Sequence, residues 1–200
     1  MAEEGKIGRT EGSTATAVVL LNNELYISYI GNSNAILIQT DTQTFIDLCP
    51  EKDVPEGNAK EIERIKNSGG IILKVGNAMR VQGELALTRS LGALKYKPYV
   101  IADPHINDYV LNKSSFLVLA SDGLWEVLNK EDVLKIIVEN KNEEEIVKKL
   151  HDEAVKKNAT DNITIVVVNI GKKQKFQIEE TSEENSNLTT SYTDREVSIS

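Results

Sequence analysis

Apolar and polar residues alternate through the first quarter of the chain. Residues 14–21 and 24–30 are rich in apolar and β-branched side chains, and Asn22-Asn23 separates the two runs. Two such runs joined by two turn-forming residues predict a β-hairpin. Further strands are predicted at residues 35–39 and 45–48. The pattern therefore indicates an antiparallel meander with short links and at least one packed face.

A second pattern, with apolar side chains every three or four positions, predicts amphipathic helices. It occurs in residues 59–67, 130–139 and 143–157. In the first of these segments, Ala59, Ile62 and Ile65 form the apolar face, and Ser68-Gly69-Gly70 is a typical helix ending.

The middle of the chain has weaker patterns. Residues 71–75 have strand character, and Gly76-Asn77 is a turn signal. Residues 95–112 contain two prolines and are predicted to be irregular, apart from a strand at 99–102. His105 is accordingly placed in a loop.

Two strongly apolar segments indicate buried strands, and an aspartate lies at one end of each. Residues 116–120 are continuously apolar and lead to Asp122-Gly123, where Gly123 is expected to let the backbone turn sharply. Residues 163–170 follow Asp161 and are rich in β-branched side chains. Because both strands are strongly apolar, residues 163–170 are predicted to pair with residues 116–120. If the two strands are antiparallel neighbours, the two carboxylates lie at the same edge of the sheet.

Carboxylate oxygens are the ligands that Mg²⁺ and Mn²⁺ prefer in proteins. A pair of such ions can share carboxylates, activate a bridging water and hold a phosphoryl group for in-line attack. Asp122 and Asp161 are therefore candidate metal ligands. The alternative interpretation is that both side chains only cap turns, because Asp is common after strands for that reason.

Composition narrows the class of protein. The chain has 200 residues and a net charge of −8, which argues against a nucleic-acid partner bound through general phosphate neutralisation. Its single cysteine, Cys49, is interpreted as a small buried residue rather than a nucleophile, and it allows no internal disulfide. His105 and His151 are interpreted as structural. No apolar stretch is long enough to span a bilayer, so we expect no membrane insertion. The low cysteine count is compatible with a cytoplasmic or nuclear protein, which is the expected compartment.

Several motifs, in this order, resemble the metal-dependent serine/threonine protein phosphatases of type 2C, the PPM family. They are Gly12-Ser13-Thr14-Ala15, residues 25–35, Glu63-Arg64-Ile65 with Gly69-Gly70, residues 80–92, residues 116–125 and residues 160–167. Each is weak alone, but Ser-Asp-Gly-Leu-Trp combined with a distant Asp-Asn-Ile-Thr is specific. The resemblance covers about residues 11–170 and is to the C-terminal portion of the catalytic domain.

The resemblance implies an α+β fold: an antiparallel β-sandwich flanked by helices, in α/β/β/α layers. It also implies that Asp122 and Asp161 are metal ligands for Mg²⁺ or Mn²⁺, and that a phosphoprotein is the substrate. Hydrolysis of phosphoserine and phosphothreonine would use a metal-activated water. Arg89 lies in a matching motif and is interpreted as structural.

The chain departs from the family pattern at several positions. The N-terminal phosphate-binding Arg and the Asp-Gly-His-Gly-Gly segment have no counterpart, so the sandwich is expected to be incomplete at its N-terminus. Asn32 stands where the family commonly has a metal-binding Asp, and Glu126 and Ala93 each replace a frequent Asp. We therefore expect little or no phosphatase activity from this chain alone. A missing N-terminal half or a regulatory protein is an expected partner.

The expected organisation is a leader at 1–10, a partial phosphatase domain at 11–171 and a disordered tail at 172–200. Two other hypotheses remain open. One is a catalytically inactive, phosphatase-like binding or regulatory module, and the other is a β-rich domain whose aspartates only cap turns.

Overall fold

The computed structural model describes residues 10–140 and 142–170. Residues 1–9 of the predicted leader at 1–10, and the predicted tail at 172–200, lie outside the described residues. The strands are β1 (Gly12–Ser13), β2 (Ala15–Leu21), β3 (Glu24–Ile30), β4 (Asn34–Gln39), β5 (Thr44–Asp47), β6 (Ile72–Val75), β7 (Ala78–Val81), β8 (Leu91–Gly92), β9 (His105–Val110), β10 (Ser115–Ala120) and β11 (Ile165–Asn169). The helices are α1 (Ala59–Asn67), α2 (Asp122–Trp125), α3 (Lys130–Glu139) and α4 (Glu143–Lys156), with a 3₁₀ turn at Leu94–Tyr96.

The strands form two main antiparallel sheets. The first sheet has the order β2-β3-β9 and the second has the order β11-β10-β4-β5. The predicted β2-β3 hairpin is confirmed, with Leu21 opposite Glu24 across the Asn22-Asn23 turn. The predicted pairing of β10 with β11 is also confirmed, with Ala120 opposite Ile165.

The expectation of one continuous meander is wrong, because the chain changes sheets between β3 and β4. Gly31 lies at this crossing with a φ of 98°, and a Cβ at Gly31 would lie 2.3 Å from Thr14 Cγ2. Only glycine combines that backbone angle with so close an approach. The crossing places the inner faces of β3 and β4 opposite each other, so they pack as two layers.

Two apolar clusters define the layers. Between the sheets, buried residues of β3 pack against residues of β4 and β10; they include Leu25, Ile27, Tyr29, Ala35, Leu37 and Leu117. On the other side of the second sheet, β4, β10 and β11 pack against the helices; the buried residues there include Ile36, Ile38, Val118, Val133, Ile137, Ile146, Leu150 and Ile165. The α+β class, with antiparallel sheets and flanking helices, is therefore confirmed. Among the described residues, helices cover the outer face of the second sheet only.

A smaller unit lies beside the sandwich. It contains α1, the β6-β7 hairpin and residues 81–101, with a core of Ile65, Val81, Ala93, Tyr96 and Val100. The bounds predicted for α1 and α3 agree with the structure, and Asn58 and Asn129 cap the two helices.

The buried face of α1 differs from the prediction. Its buried residues are Glu61 and Ile65, whereas Ala59 is exposed and Ile62 is only partly buried. A charged residue occupies an interior position because arginine side chains contact it there.

The strand predicted at 99–102 is wrong; only Ile101 makes a bridge there, to Arg89. The strand in this part of the chain is instead β9. It includes His105, which was expected in a loop. In β9, Asn107 and Tyr109 donate hydrogen bonds to the backbone of residues 47–48, whereas Ile106 and Val110 are exposed. The inner side chains of this strand are therefore polar or amphipathic, and two of its three outer side chains are apolar, which differs from the usual alternation.

Within the described residues, no helix has both the length and the apolar character that crossing a bilayer requires.

Candidate functional site

Asp122 lies at the end of the central strand β10, as predicted, and is the first residue of α2. The side chain of Leu124 is fully buried beneath this turn, and Trp125 Nε1 donates to Ala120 O over 2.9 Å. These contacts hold α2 against the strand, so the half-buried Asp122 carboxylate projects from a rigid support.

Asp161 lies in the turn between α4 and β11 and is exposed. Its Oδ1 accepts a hydrogen bond from Asn162 N over 2.7 Å. The antiparallel pairing of β10 and β11 brings this turn to the same end of the sheet as Asp122. The structure therefore places the two predicted ligands on neighbouring segments.

Ser121 joins the two segments. Its backbone N donates to Thr164 O over 3.1 Å, and its hydroxyl donates to Asn162 O over 3.1 Å and accepts from Thr164 N over 3.0 Å. The sequence argument missed this residue, although serine beside a strand-end aspartate is a weak signal for such a contact.

Gly123 serves a different purpose from the one expected. It does not have a positive φ, but a Cβ at this position would lie 2.4 Å from Asn162 O. The glycine is required because the Asp161-Asn162 backbone packs directly against α2, rather than because the chain turns in a strained conformation.

Asn32 also reaches this end of the sheet. It lies on the crossing between the two sheets, and its Nδ2 donates to Asp122 Oδ2 over 2.6 Å. Asp122 Oδ1 accepts from Gly123 N over 3.1 Å. The amide thus contacts the candidate metal ligand instead of supplying another negative charge.

The donor set is chemically suited to a hard cation but is incomplete. Asp122 and Asp161 offer carboxylate oxygens, which suit Mg²⁺ or Mn²⁺. Across residues 10–140 and 142–170, no group of three or more His, Cys, Asp or Glu side chains is arranged to hold a metal ion. Asp122 and Asp161 therefore offer only part of the ligand set that such an ion requires.

A buried ionic network lies behind the crossing. Asp53 is fully buried; its Oδ2 accepts from Gly31 N over 2.8 Å, and its Oδ1 lies 2.8 Å from His105 Nε2 and 3.5 Å from Arg89 Nε. His105 stacks on Tyr29 with ring centroids 5.0 Å apart. Nothing in the local sequence distinguishes Asp53 from a loop aspartate, so it was not predicted.

The same network continues into α1. Glu61 accepts hydrogen bonds from Arg64 and Arg89, both at 2.8 Å. Burial acts to raise the pKa of Glu61, but these two guanidinium groups outweigh it and lower the pKa to about 2. Arg89 Nη1 also donates to Asp103 O. These contacts are consistent with the structural interpretation of Arg89.

Cys49 is buried, and its burial raises the pKa of the thiol to about 12. A thiol in this state supplies almost no thiolate nucleophile at neutral pH. His151 is exposed on α4, next to Asp152.

Comparison with known proteins gives a consistent result. The family model described as "Protein phosphatase 2C" matches residues 5–163. "Probable protein phosphatase 2C 71" of Arabidopsis thaliana is 37% identical over 169 residues, which are 84% of this chain and 37% of that relative. The chain spans between 33% and 54% of the length of the curated relatives it matches.

Solved structures show the same fold. A phosphatase from a pathogenic strain of Toxoplasma gondii is 27% identical with a TM-score of 0.65, and the match covers 72% of this chain and 48% of that one. The catalytic domain of the serine/threonine protein phosphatase PstP, solved with two manganese ions, is 18% identical with a TM-score of 0.55 over 80% of this chain and 60% of that one.

Proposed function

Since this chain belongs to the protein phosphatase 2C family, we propose that it is part of a metal-dependent hydrolase acting on phosphoserine and phosphothreonine in proteins. The observation that carries the proposal is the family match across residues 5–163, together with the placement of Asp122 and Asp161 at one end of the β10-β11 pair. Phosphoproteins are the proposed substrates.

The proposed ligands for Mg²⁺ or Mn²⁺ are the carboxylates of Asp122 and Asp161. The oxygen-only chemistry of the two side chains and the manganese ions in the PstP structure support this assignment. When bound, such an ion supplies a water with a lowered pKa as the nucleophile. Asn32 orients Asp122, and Ser121 holds the Asp161 turn against α2.

The proposed partner is the part of the family domain that lies outside the matched stretch. Two carboxylates hold a cation weakly, and the relatives are about two to three times as long as the segment they share with this chain. We expect that the remaining part of the domain supplies further metal ligands and the groups that bind the phosphate.

We propose that this partner binds on the outer side of the first sheet. We define the open face as the outward-facing apolar residues of β2, β3 and β9, namely Ala17, Val19, Leu21, Tyr26, Ile106 and Val110. The strand register makes it continuous, because Val19 lies opposite Tyr26 and both Leu21 and Val110 lie opposite Glu24.

The apolar side chains of the open face are more exposed than is usual for a folded domain. Val19, Leu21, Ile106 and Val110 are 51–70% exposed. Contiguous apolar surface of this kind marks an interaction site. Glu24 and Asp108 lie among these apolar side chains. They favour a partner surface that has basic side chains next to its apolar residues.

The test is reconstitution. The chain is co-expressed with the segment of the Arabidopsis relative that precedes the matched stretch. The complex is then measured by size-exclusion chromatography with light scattering, and activity is measured on a phosphothreonine peptide with Mn²⁺. We expect a 1:1 complex with Mn²⁺-dependent turnover, and little or no turnover by the chain alone.

Single substitutions distinguish the role of the open face in complex formation from the role of Asp122 in turnover. Ile106→Asp is expected to abolish the complex, whereas Val155→Asp, on the 53% exposed Val155 of α4, leaves it intact. Asp122→Asn is expected to keep the complex and lose turnover. A complex that forms but stays inactive would contradict the enzymatic proposal and favour a binding module. Self-association through the open face without capture of the segment would contradict the proposed partner.

The proposed compartment is the cytoplasm or nucleus, which the single buried cysteine supports. Imaging of the tagged full-length protein tests this, and a mitochondrial or secretory signal would contradict it.

A further inference from the structure

We define the crossing turn as residues 31–33, which join β3 to β4. The buried carboxylate of Asp53 contacts this turn, and the turn reaches the proposed metal site. It lies in the loop before α1, and its side chain is 0% exposed. A fully buried carboxylate is costly unless every oxygen is paired. Here Oδ1 is paired with His105, with Arg89 nearby, while Oδ2 is directed to the backbone N–H of Gly31.

The Gly31 contact restrains the crossing at its start. On the other side of the turn, the hydroxyls of Thr14 and Ser33 are hydrogen-bonded over 2.9 Å. Thr14 also packs closely against Gly31. The residue between these two attachment points is Asn32, whose backbone therefore has little freedom to move.

Asn32 is the residue that contacts Asp122. Its amide donates to Oδ2 over 2.6 Å, between residues 90 positions apart in sequence. We propose that Asp53 is a positioning residue, which holds the crossing turn so that Asn32 fixes the direction of the Asp122 carboxylate. The metal-binding consequence rests on the proposed function, whereas the positioning itself does not depend on it.

The groups around Asp53 also fix the orientation of its carboxylate. His105 is fixed by its place in β9 and by stacking on Tyr29, so its Nε2 meets Asp53 from a rigid strand. Partners that surround a ligating carboxylate commonly change metal affinity 10- to 100-fold when they are lost. Asp53 is one step further from the site and acts through Asn32.

The first experiment observes Asn32 directly and uses no metal. In the ¹⁵N-labelled chain, the Asn32 side-chain amide signals are compared with those of Asp122→Ala, which defines the unbonded position. Asp53→Ser, too short to reach Gly31, is expected to move the signals toward that position and to speed amide exchange about tenfold. Asp53→Asn, which keeps an acceptor, is expected to restore most of the wild-type position.

Glu51→Gln is the matched control, because Glu51 lies in the same loop and bonds Tyr29 rather than the crossing turn. It is expected to leave the Asn32 signals unchanged. If Asp53→Ser does not fold, His105→Phe replaces it, since it keeps the stacking on Tyr29 and removes the Nε2 contact. Asn32 signals that stay at the wild-type position in a folded Asp53→Ser or His105→Phe variant would overturn the proposal.

The second experiment measures Mn²⁺ affinity by electron paramagnetic resonance. Asp53→Ser and Asn32→Ala are each expected to weaken binding about tenfold, and the double variant no further than either single variant. Independent, additive losses would show that Asp53 does not act through Asn32 and would overturn the proposal. A wild-type chain that binds no Mn²⁺ would contradict the proposed metal site instead, and the amide signals would still decide the positioning.

Discussion

The two sheets have similar apolar content, but the outer face of one is buried and the outer face of the other is exposed to solvent. On the second sheet, Ile36 and Ile38 point outward and are fully buried beneath the helices. On the first sheet, Ile106 and Val110 also point outward, yet they are 70% and 63% exposed. Apolar residues in a strand show that a face needs cover, and they do not show whether the same segment of chain supplies it.

The largest expected effect tests this comparison directly with one substitution made on both faces. Ile38→Ala should lower the free energy of unfolding by about 3 kcal/mol, because it leaves a cavity in a closed core. Ile106→Ala should change it by less than about 0.5 kcal/mol, because the side chain is already hydrated. Urea denaturation of the isolated chain measures both, and equal losses would contradict the assignment of an open face.

The same contrast between covered and exposed positions applies to charges within α1. Glu61→Gln should cost about 2–4 kcal/mol at pH 7, because it leaves Arg64 and Arg89 partly unpaired. The exposed Glu63 provides the matched control, and Glu63→Gln should cost less than about 0.5 kcal/mol.

The pH dependence of that difference has a defined sign. The pKa of Glu61 in the folded protein, about 2, lies below the ordinary glutamate value of 4.5. The stabilisation is therefore fully present above about pH 5 and is lost as the pH falls toward 2. The gap in unfolding free energy between wild type and Glu61→Gln should narrow over that range. A gap that stays constant down to pH 2 would contradict the ionic origin of the effect.

A smaller effect is expected at the contact between α2 and the Asp161 turn, where the second sheet meets the proposed metal site. Gly123→Ala should cost about 1–3 kcal/mol, because the new methyl group would overlap Asn162 O. It should also separate the two aspartate turns and weaken Mn²⁺ binding. Urea denaturation and a Mn²⁺ titration measure the two effects, and a variant as stable as the wild type would show that the turns are not tightly packed.

The smallest effect tests the helical cover itself. Asn142 caps α4 by accepting from the backbone N–H groups of Glu144 and Glu145. Asn142→Ala should cost about 1 kcal/mol and leave the open face unaffected. Amide hydrogen exchange should rise first in the opening turn of α4, and faster exchange in β9 instead would contradict a local effect.

The sequence identified most regular elements because their signals are local. The β2-β3 hairpin, α1 and α3 each carry their periodicity and turn or cap residues within one short segment. β9 was missed because its inward side chains are polar, so its pattern could not be interpreted without knowing that Asn107 and Tyr109 meet the backbone after β5.

The candidate site was only partly predictable for the same reason. Asp122 and Asp161 could be placed at one sheet edge, because a strand end and an antiparallel pairing are properties of the pattern. Their role as metal ligands stays a prediction. Asp53 gave no signal, because its importance depends on Gly31 and His105, which are distant in sequence.

By itself, the sequence determined the α+β class, the pairing of the two buried strands and the family to which the chain belongs. Tertiary structure alone decided which outer face is covered, where the chain changes sheets and which side chains hold Asp122. The physical reason is that periodicity and turn chemistry act between near neighbours. A buried charge or a hydrogen bond between residues 32 and 122 is stable only after the fold has removed water and fixed both partners.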